Sequence, residues 1–203
     1  MEILVVLALA GAFIYFRNRE QQQRIALLGA ALQPLELEKL METLMDGYLR
    51  ALGESSAERQ AQVWSYLATQ EERVCTQVDA LVEALAPLWS ERLRVSTLPL
   101  AIPRATQLFP QAAFDLRKAL QIHAQGIADA VRLASPDRPK DRAFAITAEL
   151  MLLQHTCHWY CRSKAVASAR LMARHKTRYE QVLESIGPKT RSAYLALTGA
   201  PGR

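Results

Sequence analysis

The sequence predicts an all-α protein: an N-terminal single-pass membrane helix, then an irregular bundle of four to five helices with one long C-terminal helix. Three observations carry this. Half of the 203 residues are hydrophobic and only eight are glycine, with alanine and leucine prominent and β-branched runs few, which favours helix over sheet. Apolar residues recur at three- and four-residue spacing along much of the chain. Ile3 to Phe16 is a run of fourteen residues without a charge, followed at once by Arg17, Asn18 and Arg19.

Fourteen residues of helix rise about 21 Å, short of the ~30 Å hydrocarbon core of a bilayer. The flanks decide the reading. Glu2 stands where a secretory signal carries positive charge, and Phe13–Phe16 continues the apolar run beyond the small residues Ala10–Gly11–Ala12. Arg17, Arg19 and Arg24 lie only on the C-terminal side, and the positive-inside bias puts them in the cytoplasm. Arg17 and Arg19 can snorkel to lengthen the span. A surface helix would show one apolar stripe, whereas this segment is apolar all round. The expectation is an anchor over residues 1–20, in an inner or plasma membrane with the N-terminus outside, and a cytoplasmic helical domain over residues 21–203. A cleaved signal and a buried or interfacial helix are the alternatives. Three cysteines, Cys75, Cys157 and Cys161, cannot all pair within one chain. Three reduced thiols suit the same compartment.

The elements follow in order. The first helix continues through Gln21–Arg24, and Pro34 breaks the chain. Leu37, Leu40, Met41, Leu44, Met45, Tyr48 and Leu52 mark a helix over 35–52, closed by Gly53. Ser55 and Glu58 fit a capping box for a helix reaching residue 93, kinked at Pro87. Thr97–Pro103 is an apolar connector. A helix follows over 111–134, with Phe114, Leu120, His123, Ile127 and Val131 inward. Ser135–Pro139 is a loop. One long helix is expected over 141–186, stopped by Gly187–Pro188, with its half Ala143–Tyr160 central to the bundle. A short helix near 189–198 ends the chain.

Two stretches carry chemistry. In His155–Cys161, the side chains of Cys157, His158 and Cys161 share one helix face and His155 lies at its edge. These types on neighbouring turns can reach zinc or haem iron, with Cys75 or His123 completing the set. The alternative, which the missing zinc spacings favour, is core packing of small thiols and neutral imidazoles. The second stretch holds Arg162, Lys164, Arg170, Arg174, Lys176 and Arg178 with no acid before Glu180. Net charge is +7 over residues 140–203 and −2 over residues 1–139. Arg170, Arg174 and Arg178, spaced by four, form a ridge that attracts phosphate or anionic lipid, or serve as a solvated helix face.

No nucleotide fingerprint, nucleophile elbow or catalytic carboxylate pair is present. The expected function is a non-enzymatic, membrane-tethered adaptor or assembly component without a cofactor. Its expected partners are the membrane through residues 3–16 and a protein or a second copy of the chain. Anionic lipid, and less readily nucleic acid, would meet the basic ridge. The alternatives are a module binding phosphate polymers or anionic lipid through that ridge, and a metal-binding helical enzyme or sensor.

Overall fold

The computed structural model describes residues 1–133 and 138–199, so most of the expected 135–139 loop lies outside the described residues. Among these it places nine α-helices: α1 (Glu2–Leu32), α2 (Leu37–Gly53), α3 (Ala57–Leu85), α4 (Ala105–Leu108), α5 (Leu116–Leu133), α6 (Pro139–Cys161), α7 (Lys164–His175), α8 (Tyr179–Ser185) and α9 (Pro188–Thr198). Two short strands, β1 (Arg94–Ser96) and β2 (Ala113–Asp115), pair antiparallel, with Val95 opposite Phe114.

Periodicity explains α2 and α3, whose apolar faces meet through Leu40, Leu44, Leu67, Val74 and Val78. The cap of α3 is Ser56, one residue later than expected: its hydroxyl accepts the Arg59 N–H at 3.4 Å. α3 ends at Leu85 rather than kinking at Pro87. The Arg117 guanidinium takes the carbonyls of Ala86 and Leu88, at 3.4 and 3.3 Å, while pairing with Asp115 at 2.6 Å. Val95 and Phe114 are buried, and Trp159 of α6 donates to Ser96 O at 2.8 Å. A two-stranded ladder is marginal alone; here the end of α6 holds it.

α6 occupies the centre, in contact with α1, α2, α5, α7, α8 and β1. From Ala145 to Cys161 none of its residues is exposed. Phe144, within the half expected to be buried, faces solvent.

Two further expectations are corrected. The helix over 141–186 is three helices. Ser163 caps α7 by accepting the Val166 N–H at 3.3 Å, and Lys176 closes α7 in the left-handed region at φ 54°. Second, no helix among the described residues is long and apolar enough to cross a membrane. The apolar run of α1 is bounded by Glu2 on one side and by Arg17, Arg19 and Glu20 on the other. The body also holds the helix from Glu20 onward, and Arg24 of the basic flank is engaged in the fold. The single-pass span, the inner- or plasma-membrane location and the N-out orientation derived from it are therefore not supported.

Three helices are locked by one polar cluster. The Tyr48 hydroxyl of α2 donates to Glu71 Oε1 of α3 at 2.9 Å. Arg142 Nε of α6 lies 3.0 Å from Glu71 Oε2, close enough to pair as charges though its N–H is not aligned with the contact. Burial raises the Glu71 carboxyl, and Arg142 opposes that rise. Removing one member of a buried ion pair typically costs about 3–5 kcal/mol. Arg142→Ala is expected to lower unfolding stability by about 3 kcal/mol in urea titration, with the additional substitution Glu71→Gln recovering part of the loss.

Candidate functional site

Every residue from Ile3 to Phe16 is exposed, although each belongs to one continuous helix with the residues docked on the body. Ile3 is 77% exposed, Leu9 65% and Phe13 43%. The body takes hold at Glu20. Glu20 pairs with Arg24 at 2.6 Å and accepts the Arg104 N–H at 2.8 Å. Arg24 also donates to Tyr160 O at 3.2 Å and lies over the Tyr160 ring. Arg162 reaches across to the buried Gln21 at 2.6 Å. The result is an apolar arm standing on a fixed base. Beside that base is a groove of about 390 Å³ lined in part by Arg19, Arg24, Arg92 and Arg104. Arg17, by contrast, is half-buried, with Nε lacking a hydrogen-bond partner.

The His155–Cys161 stretch faces inward. His155 is stacked on Tyr179, centroids 4.4 Å apart, with Nε2 3.1 Å from the Ser168 hydroxyl. Burial, helped by Lys164, brings its pKa down to about 3, so the ring is neutral. His123 Nε2 and the Tyr194 hydroxyl both meet Thr156 Oγ1 at 2.9 Å, while Thr156 donates to Leu152 O at 3.0 Å. The Thr156 proton is thus committed, so His123 carries its proton on Nε2 and Tyr194 donates. Burial pushes the Cys157 thiol up to about 12 and raises Cys161 as well. Burial lowers His158, with Arg170 and Arg174 adding to the effect. Cys75 is likewise raised, to about 11, by burial. No group of three His, Cys, Asp or Glu side chains among the described residues could hold a metal ion. The cysteines are unpaired, and the stretch has the chemistry of a core.

The basic run divides. Arg162 is spent on Gln21, and Lys164 Nζ lies 4.8 Å from the Tyr179 ring centroid and 5.2 Å from that of Trp159. Arg170, Arg174, Lys176 and Arg178 are exposed. Arg178 is no longer in line with Arg170 and Arg174, because it precedes α8 beyond the Lys176 turn. Arg174 and His175 also border a groove whose opposite wall, on and before α2, includes Glu36, Glu38, Glu42 and Asp46. That acidic wall offsets the cationic field.

Sequence reasoning missed Glu149. It is 1% exposed on α6, and its Oε1 accepts the Gly187 N–H at 3.1 Å, at the start of α9. Its Oε2 has no hydrogen-bond partner, although the Thr190 hydroxyl lies nearby. Desolvation raises its pKa to about 7, against the lowering effect of Gly187 and Thr190. The one available signal was an acid within the apolar stretch Ala143–Leu153.

The chain matches no protein-family model, and neither a curated protein nor a solved structure was found to be similar to it.

A raised carboxyl pKa means that the folded state holds its proton more tightly than the unfolded chain. Stability from this group is complete below about pH 4.5 and is lost as pH rises toward about 7. The loss is on the order of 3 kcal/mol. Unfolding titrations from pH 4.5 to 8 are expected to show that decline in the wild type and a flatter profile in Glu149→Gln.

Proposed function

We propose that the protein is a non-enzymatic assembly component that associates with copies of itself through the arm of α1. The observation that carries this is the run of fourteen consecutive apolar helical residues in solvent. Exposed apolar surface is worth about 25 cal/mol per Å² when buried. A helix apolar on every side belongs inside an assembly rather than on a surface.

The charges at its ends support an antiparallel arrangement. Glu2 stands at the end of the arm away from the body, and Arg17 and Arg19 at the base. Antiparallel arms bring Glu2 of each copy toward Arg17 and Arg19 of the other. Parallel arms would set like charges together, which disfavours that register. The arm is about 21 Å long, so the bodies lie at opposite ends of the shared rod. One pairing covers a single stripe of each helix. Arms apolar all round therefore favour an even-numbered bundle in alternating directions.

A second reading, an acidic partner on the basic surface, is favoured by the exposure of Arg170, Arg174, Lys176 and Arg178. The acidic wall across the groove weighs against it. Salt-sensitive binding to DNA or anionic vesicles that Arg170→Glu with Arg174→Glu abolishes would support this reading; no binding at low salt would remove it.

Self-association is tested by sedimentation equilibrium of the full chain beside the triple variant Val6→Glu, Leu9→Glu, Phe13→Glu. The wild type is expected to form an even-numbered oligomer, and the variant a monomer with unchanged helicity. A monomeric wild type overturns the reading, and a monomer that sediments with lipid vesicles assigns the arm a different occupant.

A further inference from the structure

Three arginines that form no ion pair among the described residues border the groove at the base of the arm. Arg19 comes from α1, Arg92 from the turn Ser90–Leu93 before β1, and Arg104 from the residue before α4. All three residues are exposed. A fourth, Arg24, is held by Glu20 and Tyr160. The acids that border the groove are Glu20 and Glu91. Both oxygens of Glu20 are engaged, one by Arg24 at 2.6 Å and the other by the Arg104 N–H at 2.8 Å. Glu91 forms no ion pair among the described residues. Four arginines therefore stand against two carboxylates, an excess of two positive charges.

Like charges gathered in one place repel, and here the fold fixes the backbone that carries them. The hydroxyl of buried Tyr160 donates to Arg92 O at 2.9 Å. Glu20 holds the Arg104 N–H while Arg104 occupies the left-handed region at φ 55°, a conformation costly for a residue with a Cβ. Backbone strain of this kind persists only where the surroundings impose it, and it clusters at functional sites. The groove also has apolar walls in Phe16, Leu27 and Pro103.

We propose that this groove binds a phosphate monoester as its dianion. Arg92 and Arg104 are the principal ligands, Arg19 lies beside them, and the ester's apolar part rests against Phe16, Leu27 and Pro103. A guanidinium is always charged and presents paired N–H donors that match phosphate oxygens. A phosphate monoester offers three acceptor oxygens to donors arriving from separate elements, and its two charges match the excess in the groove. Arg92 and Arg104 belong to the body, so the site does not depend on self-association of the arm. Arg19, by contrast, lies where the antiparallel arrangement would bring Glu2 of a second copy. A lipid headgroup and a soluble organic ester present the same dianion.

Titration calorimetry of the full chain with phenyl phosphate at pH 8, well above its second pKa of about 6, tests this. Benzenesulfonate, a tetrahedral monoanion, is the control. Saturable binding of phenyl phosphate is expected, with benzenesulfonate weaker by about ten-fold or more. Arg92→Gln and Arg104→Gly are each expected to weaken the phosphate by about ten-fold or more. Glycine accepts φ 55° without strain, so Arg104→Gly removes the guanidinium while sparing the fold. Arg170→Gln with Arg174→Gln, on α7, is expected to leave binding unchanged. Flotation with phosphatidylcholine vesicles containing phosphatidic acid separates the two sources. Vesicle binding that the Arg92→Gln, Arg104→Gly double variant loses assigns a lipid headgroup; phenyl phosphate binding without it assigns a soluble ester. Absence of saturable phenyl phosphate binding to the wild type overturns the proposal. So does undiminished affinity in the double variant, or equal affinity for benzenesulfonate.

Discussion

α6 runs from Ala145 to Cys161 without one exposed residue, and this constraint organises the rest of the fold. A helix enclosed on all sides cannot leave polar side chains to water, so each must find a partner on a neighbouring element. Gln154 meets His175, and His155 meets Ser168, both on α7. Thr156 gathers His123 of α5 and Tyr194 of α9. Trp159 and Tyr160 bond to the carbonyls of Ser96 and Arg92. Hydrophobic burial alone is non-directional; these bonds are directional, and together they specify which element lies against each turn of α6.

The same centre governs the arm. Tyr160 offers its carbonyl and its ring to Arg24, and Arg162, just past the end of α6, holds Gln21. Those contacts fix α1 at its middle. Its N-terminal half then leaves the body as uninterrupted helix, with no glycine-rich or proline hinge between base and arm. A partner meeting this arm finds it already helical and already aimed, which reduces the ordering required on association. The exposed run is thus a preorganised surface.

Much of the architecture was legible in the sequence, because α2 and α3 display their buried faces at helical spacing and Gly187–Pro188 marks the start of α9. The breaks in the long C-terminal helix were harder to see. Ser163 is an ordinary cap residue within a helical pattern, and Lys176 adopts a left-handed conformation that its side chain does not advertise. The strands are three residues long, too short for alternation to register. The reading of the arm as a membrane span treated Arg17 and Arg19 only as a flank. That reading counted only fourteen apolar residues and let the flanks, with Arg17 and Arg19 snorkelling, outweigh the shortfall in length. The isolation of Glu149 depends on contacts among α5, α6 and α9, which no local pattern encodes.

The two buried glutamates are used differently by the fold. Glu71 joins three helices, with Tyr48 and Arg142 at its two oxygens. Its charge has a use within the fold. Glu149 makes one directional contact, from the Gly187 N–H to Oε1, and a glutamine oxygen could accept that bond without the desolvation of a carboxylate. The second oxygen is sealed against Gly126, where a Cβ would stand 2.7 Å from it. The start of α9 and the bare backbone of Gly126 thus enclose the carboxyl, and the desolvation this imposes favours its protonated form.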